Sequence, residues 1–131
     1  MRLPMSVCDA WQVPLKCLIV DDSDSFLDAS RVLLERQGLE IVGVANTAAE
    51  GVQRARELRP DVVLVDVDLE GESGFTVVST LATEHDSFPT ILISTHAAED
   101  FADLVADSTA LGFIAKSDLS GQSVRELLEE R

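Results

Sequence analysis

The stretch PDVVLVDVDLEGESGF, residues 60–75, decides the fold. Val62 to Val65 form an unbroken apolar run after Asp61; it ends on Asp66, and a second acid, Asp68, follows two residues later. Gly71 and Gly74 then turn the chain. An uninterrupted aliphatic run suits a strand covered on both faces, as in a parallel sheet. Aspartate is a poor strand residue and is costly in a core. A buried strand ending on one predicts a site at its tip that wants negative charge.

Around this run, DVVLVD (61–66), lie four others: LKCLIV (15–20), LEIVGVA (39–45), TILIS (90–94) and LGFIA (111–115). Helical patterns separate them. In 23–37 the apolar residues Phe26, Leu27, Ala29, Val32, Leu33 and Leu34 recur at three- and four-residue intervals, and Gly38 stands where a left-handed stop is expected. Segment 47–58 opens on Thr47-Ala-Ala-Glu50, a capping-box pattern, and Pro60 stops it. Segments 73–85, 97–108 and 119–130 read likewise. Five βα units with short connections predict an α/β fold with a parallel sheet, right-handed crossovers and helices on both faces.

The chain has 131 residues, enough for one domain with a sizeable core. Apolar residues make up 46% and charged residues 26%, a globular composition. No apolar run reaches the roughly 20 residues that span a bilayer. Residues 1–14 lack a continuous apolar stretch, so they predict a poorly ordered leader, not a signal peptide, with Trp11 a packing residue or disordered. A net charge of −14 argues against direct contact with nucleic acid or an anionic membrane. Cys8 and Cys17 match no metal-ligand spacing; Cys17 reads as a small core residue, and a reduced, cytoplasmic compartment is expected.

Ligands of open α/β sheets bind beyond the carboxyl ends of the strands. Those ends carry Asp21-Asp22, Asp66, Ser94-Thr95 and Lys116. Three acids, a hydroxyl and an ammonium from four segments would meet on one edge. Two unit charges about 4 Å apart cost roughly 4 kcal/mol at an effective dielectric near 20. Either some acids are protonated or a cation is present. All-oxygen ligation favours Mg²⁺. With it, one carboxylate could attack phosphorus and form an aspartyl phosphate.

With these residues in this order, residues 15 to about 130 resemble the receiver domain of two-component response regulators. Phe113, three before Lys116, stands where that family carries a switching aromatic. The resemblance implies a (βα)5 flavodoxin-like doubly wound sandwich, its five-stranded parallel sheet in order 2-1-3-4-5, over residues 15–131. It implies that Asp66 is the phosphoacceptor, and that Asp22 and Asp66 ligate Mg²⁺ directly, Asp21 through water and Asp68 through its backbone carbonyl. Lys116 would pair with the carboxylate and then the phosphate, while Ser94 and Phe113 would switch. The donor would be a histidine kinase or a phosphotransfer protein, and the product a changed surface for an unknown downstream protein. Beyond self-phosphorylation and autodephosphorylation, no enzyme activity is implied.

The chain also departs from the family. Glu70 replaces a common proline, implying a less restrained loop; Ser117 replaces a proline after the lysine, so no cis-proline is expected; Thr95 is bulkier than the usual Ala or Gly and would slow small phosphodonors. His85 and His96 read as surface residues, and His96, two past Ser94, is a candidate for influencing phosphate hydrolysis. Glu99, Asp100, Asp103 and Asp107 have no basic residue among them, which argues for a solvated acidic helix, or alternatively a docking face for a basic partner, and for a monomer or weak dimer over a mixed-charge dimer. The chain ends at Arg131, where the fifth helix should finish, so it reads as a stand-alone regulator or a fragment of a larger one. Two other functions fit parts of the pattern. One is a receiver-fold interaction module that ignores phosphate. The other is a haloacid-dehalogenase-like phosphatase, whose opening motif Val65-Asp66-Val67-Asp68 resembles but whose second acidic pair lies on the wrong side of the nucleophile.

Overall fold

The elements alternate along the chain as β1 (Leu15–Val20), α1 (Asp24–Arg36), β2 (Leu39–Ala45), α2 (Ala48–Leu58), β3 (Val62–Asp66), α3 (Gly74–Ala82), β4 (Thr90–Ser94), α4 (Ala102–Asp107), β5 (Gly112–Ala115) and α5 (Gly121–Glu130). The computed structural model describes residues 15–69, 71–83, 88–95 and 102–130. The leader 1–14 with Cys8 and Trp11, and Glu70, His85, His96, Glu99, Asp100 and Arg131, lie outside the described residues.

All neighbouring strands run parallel, in the order β2-β1-β3-β4-β5. Strand side chains alternate between faces, so each buried strand feeds two cores. Cys17, Ile19, Leu64 and Ile93 pack with Leu27 and Leu34 of α1 and Val124 of α5. Leu18, Val20, Val65 and Leu92 pack on the other face with Ala55 of α2 and Val77 and Leu81 of α3. This is the doubly wound sandwich. Cys17 is fully buried, and burial pushes its thiol up to about 12, so it is an inert core residue.

Local chemistry sets the helix ends. Ser23 Oγ accepts from Phe26 N–H at 3.3 Å at the start of α1, and Gly38 closes that helix at φ +92°. Thr47 Oγ1 accepts from Glu50 N–H, but Glu50 reaches back to the N–H of Asn46, one residue before the position a capping box would use. The fifth helix starts two residues later than its apolar pattern suggests. At its N-terminus the backbone N–H of Ser120 donates to Ser123 Oγ and that of Ser123 to Ser120 Oγ, at 2.9 and 3.0 Å, after a 3₁₀ turn over Lys116–Asp118. Strand β3 starts at Val62 because Asp61 is occupied with Lys16: its carboxylate accepts from Lys16 N–H and its own N–H donates to Lys16 O, both at 2.8 Å.

Asp68–Leu69 pairs with Glu72–Ser73 in a short antiparallel ladder, turning at Gly71 with φ +72°. Glu72 then accepts from the N–H of Ala48 at 3.2 Å, at the N-terminus of α2. Among the described residues no peptide bond is cis, no helix is long and apolar enough to cross a membrane, and Asp103 and Asp107 are exposed.

Candidate phosphoacceptor site

Sheet register brings the site together. Val20 of β1 pairs with Val65 of β3, so Asp21 and Asp66 stand side by side one residue further on. Asp66 is also in register with Ile93, and Ser94 with Ala115, which places Ser94 and Lys116 at the same edge. The edge lies where β2 and β3 flank β1 and the chain winds in opposite directions, the switch point of such folds.

Four of the sequence-predicted residues meet there. Oxygens of Asp21, Asp22 and Asp66 all lie within 4.8 Å of one another. Lys116 Nζ sits 2.6 Å from Asp21 Oδ2 and 3.3 Å from Asp66 Oδ2. Asp21 is fully buried, Asp66 is 6% exposed and Asp22 is exposed, so the cluster opens to solvent on the Asp22 side. Ser94 is buried at the end of β4, with Thr95 exposed beyond it. Asp68 touches the cluster through its backbone, its N–H donating to Asp66 Oδ1 at 3.1 Å, while its side chain is exposed. Phe113 is one strand away, opposite Leu92 and half-buried against the α2–α3 face.

Burial, and then Asp21 beside it, push the Asp66 carboxyl up to about 6, against the Asp68 amide and Lys116, which favour its charged form. Burial pulls Lys116 down, but Asp21 and Asp66 together hold its ammonium above the ordinary lysine value. The ion pair to Asp21 is close yet poorly aligned, leaving the buried Oδ2 without a proper hydrogen bond. Three clustered carboxylates with more negative charge than one ammonium offsets, open to solvent on the Asp22 side, are a donor set that suits a hard divalent cation. The residues fit Mg²⁺.

The sequence pattern read Gly74 only as part of a turn and a helix start and missed two contributors, Glu72 and Phe26. Gly74 lets α3 start against the carbonyl of Asp66, where a β-carbon would collide; its N–H donates to Val67 O at 2.7 Å. Glu72 ties the hairpin to α2. Phe26 presents its ring to Lys116, with Nζ 4.2 Å from the centroid. Glycine at a helix start was a visible signal; the other two needed three dimensions.

Comparison with known proteins agrees with this geometry. The family model for the response regulator receiver domain matches residues 17–128, and the chain belongs to that family. It is 31% identical over 103 residues to the response regulator GacA of Pseudomonas syringae pv. syringae, covering 78% of this chain and 48% of that protein. It is 32% identical over 104 residues to the DNA-binding transcriptional activator EvgA of Escherichia coli, covering 79% of this chain and 51% of that protein. The chain thus spans about half the length of the curated relatives it matches. The crystal structure of a LuxR-family two-component response regulator from Aurantimonas sp. SI85-9A1 shares its fold, with a TM-score of 0.81 at 24% identity, covering 91% of this chain and 88% of that one. Receiver domains are signalling modules that bind Mg²⁺ at an acidic pocket and are phosphorylated by histidine kinases or phosphotransfer proteins.

Proposed function

We propose that this chain is a phosphorylation-operated switch in which Asp66 accepts a phosphoryl group and the surface around Ser94 and Phe113 changes in response. The observation that carries the reading is the Asp66 carboxylate at the tip of β3, in contact with Lys116 Nζ and clustered with Asp21 and Asp22. Asp22, Asp66 and the backbone carbonyl of Asp68 would hold Mg²⁺, with Asp21 acting through water. Bound there, the ion supplies positive charge against the negative charge of the transferring phosphoryl oxygens.

The chain's own groups do the rest. An Asp66 oxygen attacks phosphorus, and the bond from phosphorus to the donor nitrogen or acyl oxygen breaks, its electron pair leaving with the donor. Register with the neighbouring strands fixes the direction of that carboxylate. Lys116 follows the charge from carboxylate to phosphoryl oxygen, and Ser94 donates its hydroxyl to another oxygen. Phe113 then repacks behind Ser94, turning a local charge-assisted contact into a surface change. A histidine kinase or phosphotransfer protein serves as donor; a protein partner reads the altered face.

Intact mass after treatment with a phosphodonor and Mg²⁺ tests the assignment. The parent should gain one phosphoryl group and Asp66→Asn none. Equal gain by both would show that the acceptor lies elsewhere.

A further inference from the structure

Lys116 is held by more than the two acids. Its Nζ lies 2.6 Å from Asp21 Oδ2, 3.3 Å from Asp66 Oδ2 and 4.2 Å from the centre of the Phe26 ring. An ammonium has three N–H donors, and two carboxylate oxygens and one aromatic face surround this one. Only 13% of the side chain remains exposed. In such a desolvated setting an ammonium is attracted to an aromatic face more strongly than at an open surface.

The ring has support besides its contact with the ammonium, although Ser23, which caps its helix, also donates its N–H to Asp21 Oδ1 at 2.8 Å. Phe26 sits in the first turn of α1, its N–H donating to Ser23 Oγ at 3.3 Å and its carbonyl accepting from Ser30 Oγ at 2.7 Å. Its side chain packs against the core on the α1–α5 face. The core packing and the Ser30 bond do not involve the carboxylates, so they persist when the charge of the acids changes.

The two kinds of contact respond differently to charge. The hold of Asp21 and Asp66 on the ammonium weakens as their negative charge is compensated or, at Asp66, esterified. A ring quadrupole does not change with either event. We infer that Phe26 is a positioning residue for Lys116, its ring keeping the ammonium beside Asp66 when Asp21 no longer holds it. The inference rests on the proposed phosphoacceptor role of Asp66. Phe26 acts through the lysine and not on the reacting atoms.

Beryllofluoride with Mg²⁺ is the probe, applied to the parent, Phe26→Leu and Phe26→Tyr and followed by NMR. In the parent, ring current should move the Lys116 side-chain methylene resonances upfield, and they should stay upfield when the probe binds. Phe26→Leu keeps an apolar side chain on α1; it should lose the upfield shift and bind beryllofluoride roughly tenfold more weakly, a larger fall than for Mg²⁺ alone. Phe26→Tyr should restore both signatures. Collapse of the parent's upfield shift on probe binding overturns the inference. So does unweakened binding by Phe26→Leu, failure of Phe26→Tyr to restore it, or equal losses for Mg²⁺ and beryllofluoride. In each of those cases a parent that still binds the probe leaves the phosphoacceptor reading intact. A parent that binds none sinks both.

Discussion

Gly74 packs directly against the backbone of Asp66: a β-carbon built on the glycine would collide with the Asp66 carbonyl oxygen and lie 2.8 Å from its carbonyl carbon. The opposing atoms are backbone at the end of a fully buried strand, so they cannot rotate aside as a side-chain tip would. Gly74→Ala should therefore displace the strand tip and cost about 1–3 kcal/mol, as overpacking does. Because Asp66 moves with it, Mg²⁺ affinity should fall as well. Gly71→Ala is the control: φ is +72° but nothing lies within 4 Å, so it should cost about 1 kcal/mol of backbone strain and leave Mg²⁺ binding unchanged. Urea denaturation and Mg²⁺ titration of both variants check the pair.

The alternation that revealed the fold was legible because the strands are short aliphatic runs, β3 and β4 buried throughout, and Thr90–Ser94 begins and ends where its pattern does. The acids at the strand tips were legible for a related reason: a carboxylate at the end of such a run breaks the local rule. Contacts made across the sequence were not. Glu72 looks like any exposed acid until the hairpin aims it at Ala48, 24 residues away. Phe26 fits the apolar stripe of α1 so well that its ring over Lys116, which comes from the far end of β5, left no mark in the periodicity. The first residues of α5 were misplaced because Leu119 continues the apolar pattern, whereas the Ser120–Ser123 cap decides the start.

Asp66 makes stability depend on pH. Its folded value is raised to about 6 from 3.8, so between those values the folded state binds more protons than the unfolded chain. Stability without metal should then fall as pH rises from about 4 to about 6, by at most roughly 3 kcal/mol, and stay lowered above that window. Asp66→Asn should flatten this slope and be more stable than the parent at pH 7 without Mg²⁺. Thermal melts across that pH range decide it: identical slopes in the two proteins would mean that Asp66 is not strained by its neighbours.

Lys116 offsets the charge of Asp21, which is fully buried. Lys116→Met leaves that carboxylate beside Asp66 without its cation, and breaking a buried pair costs about 3–5 kcal/mol. Divalent metal can replace the missing charge. Saturating Mg²⁺ should therefore recover much of the loss in the variant, by more than it stabilises the parent. The lysine's own raised value gives a slope of the same sign as that of Asp66, at higher pH: its stabilisation is fully present below 10.5 and disappears as pH climbs through the folded value. Urea melts with and without Mg²⁺ measure the recovery, and an equal deficit in both conditions would contradict the charge argument.

Glu72 contributes where it touches α2. Its carboxylate accepts from the Ala48 N–H at 3.2 Å, at a helix N-terminus that favours negative charge. Glu72→Ala should cost about 0.5–1 kcal/mol and, more tellingly, speed amide exchange at Ala48 and across the hairpin from Asp68 to Ser73. Glu72→Gln keeps an acceptor oxygen and should show a smaller effect. Hydrogen-exchange NMR separates these outcomes from a uniform loss of stability.

Thr95 follows the buried Ser94 at the tip of β4 and is exposed. A β-branched side chain next to Ser94 would narrow the approach to Asp66 for any donor that must enter the cluster itself. A protein donor, which presents its phosphoryl group from a docked surface, gains orientation from its other contacts and is less sensitive to one rim methyl. Thr95→Ala should thus raise the rate of uptake from acetyl phosphate roughly three- to tenfold, on the order of 1 kcal/mol of barrier, with less effect on transfer from a phosphohistidine protein. Rates of mass gain with the two donors test the asymmetry, and an equal change for both would assign Thr95 to the transfer step instead of to access.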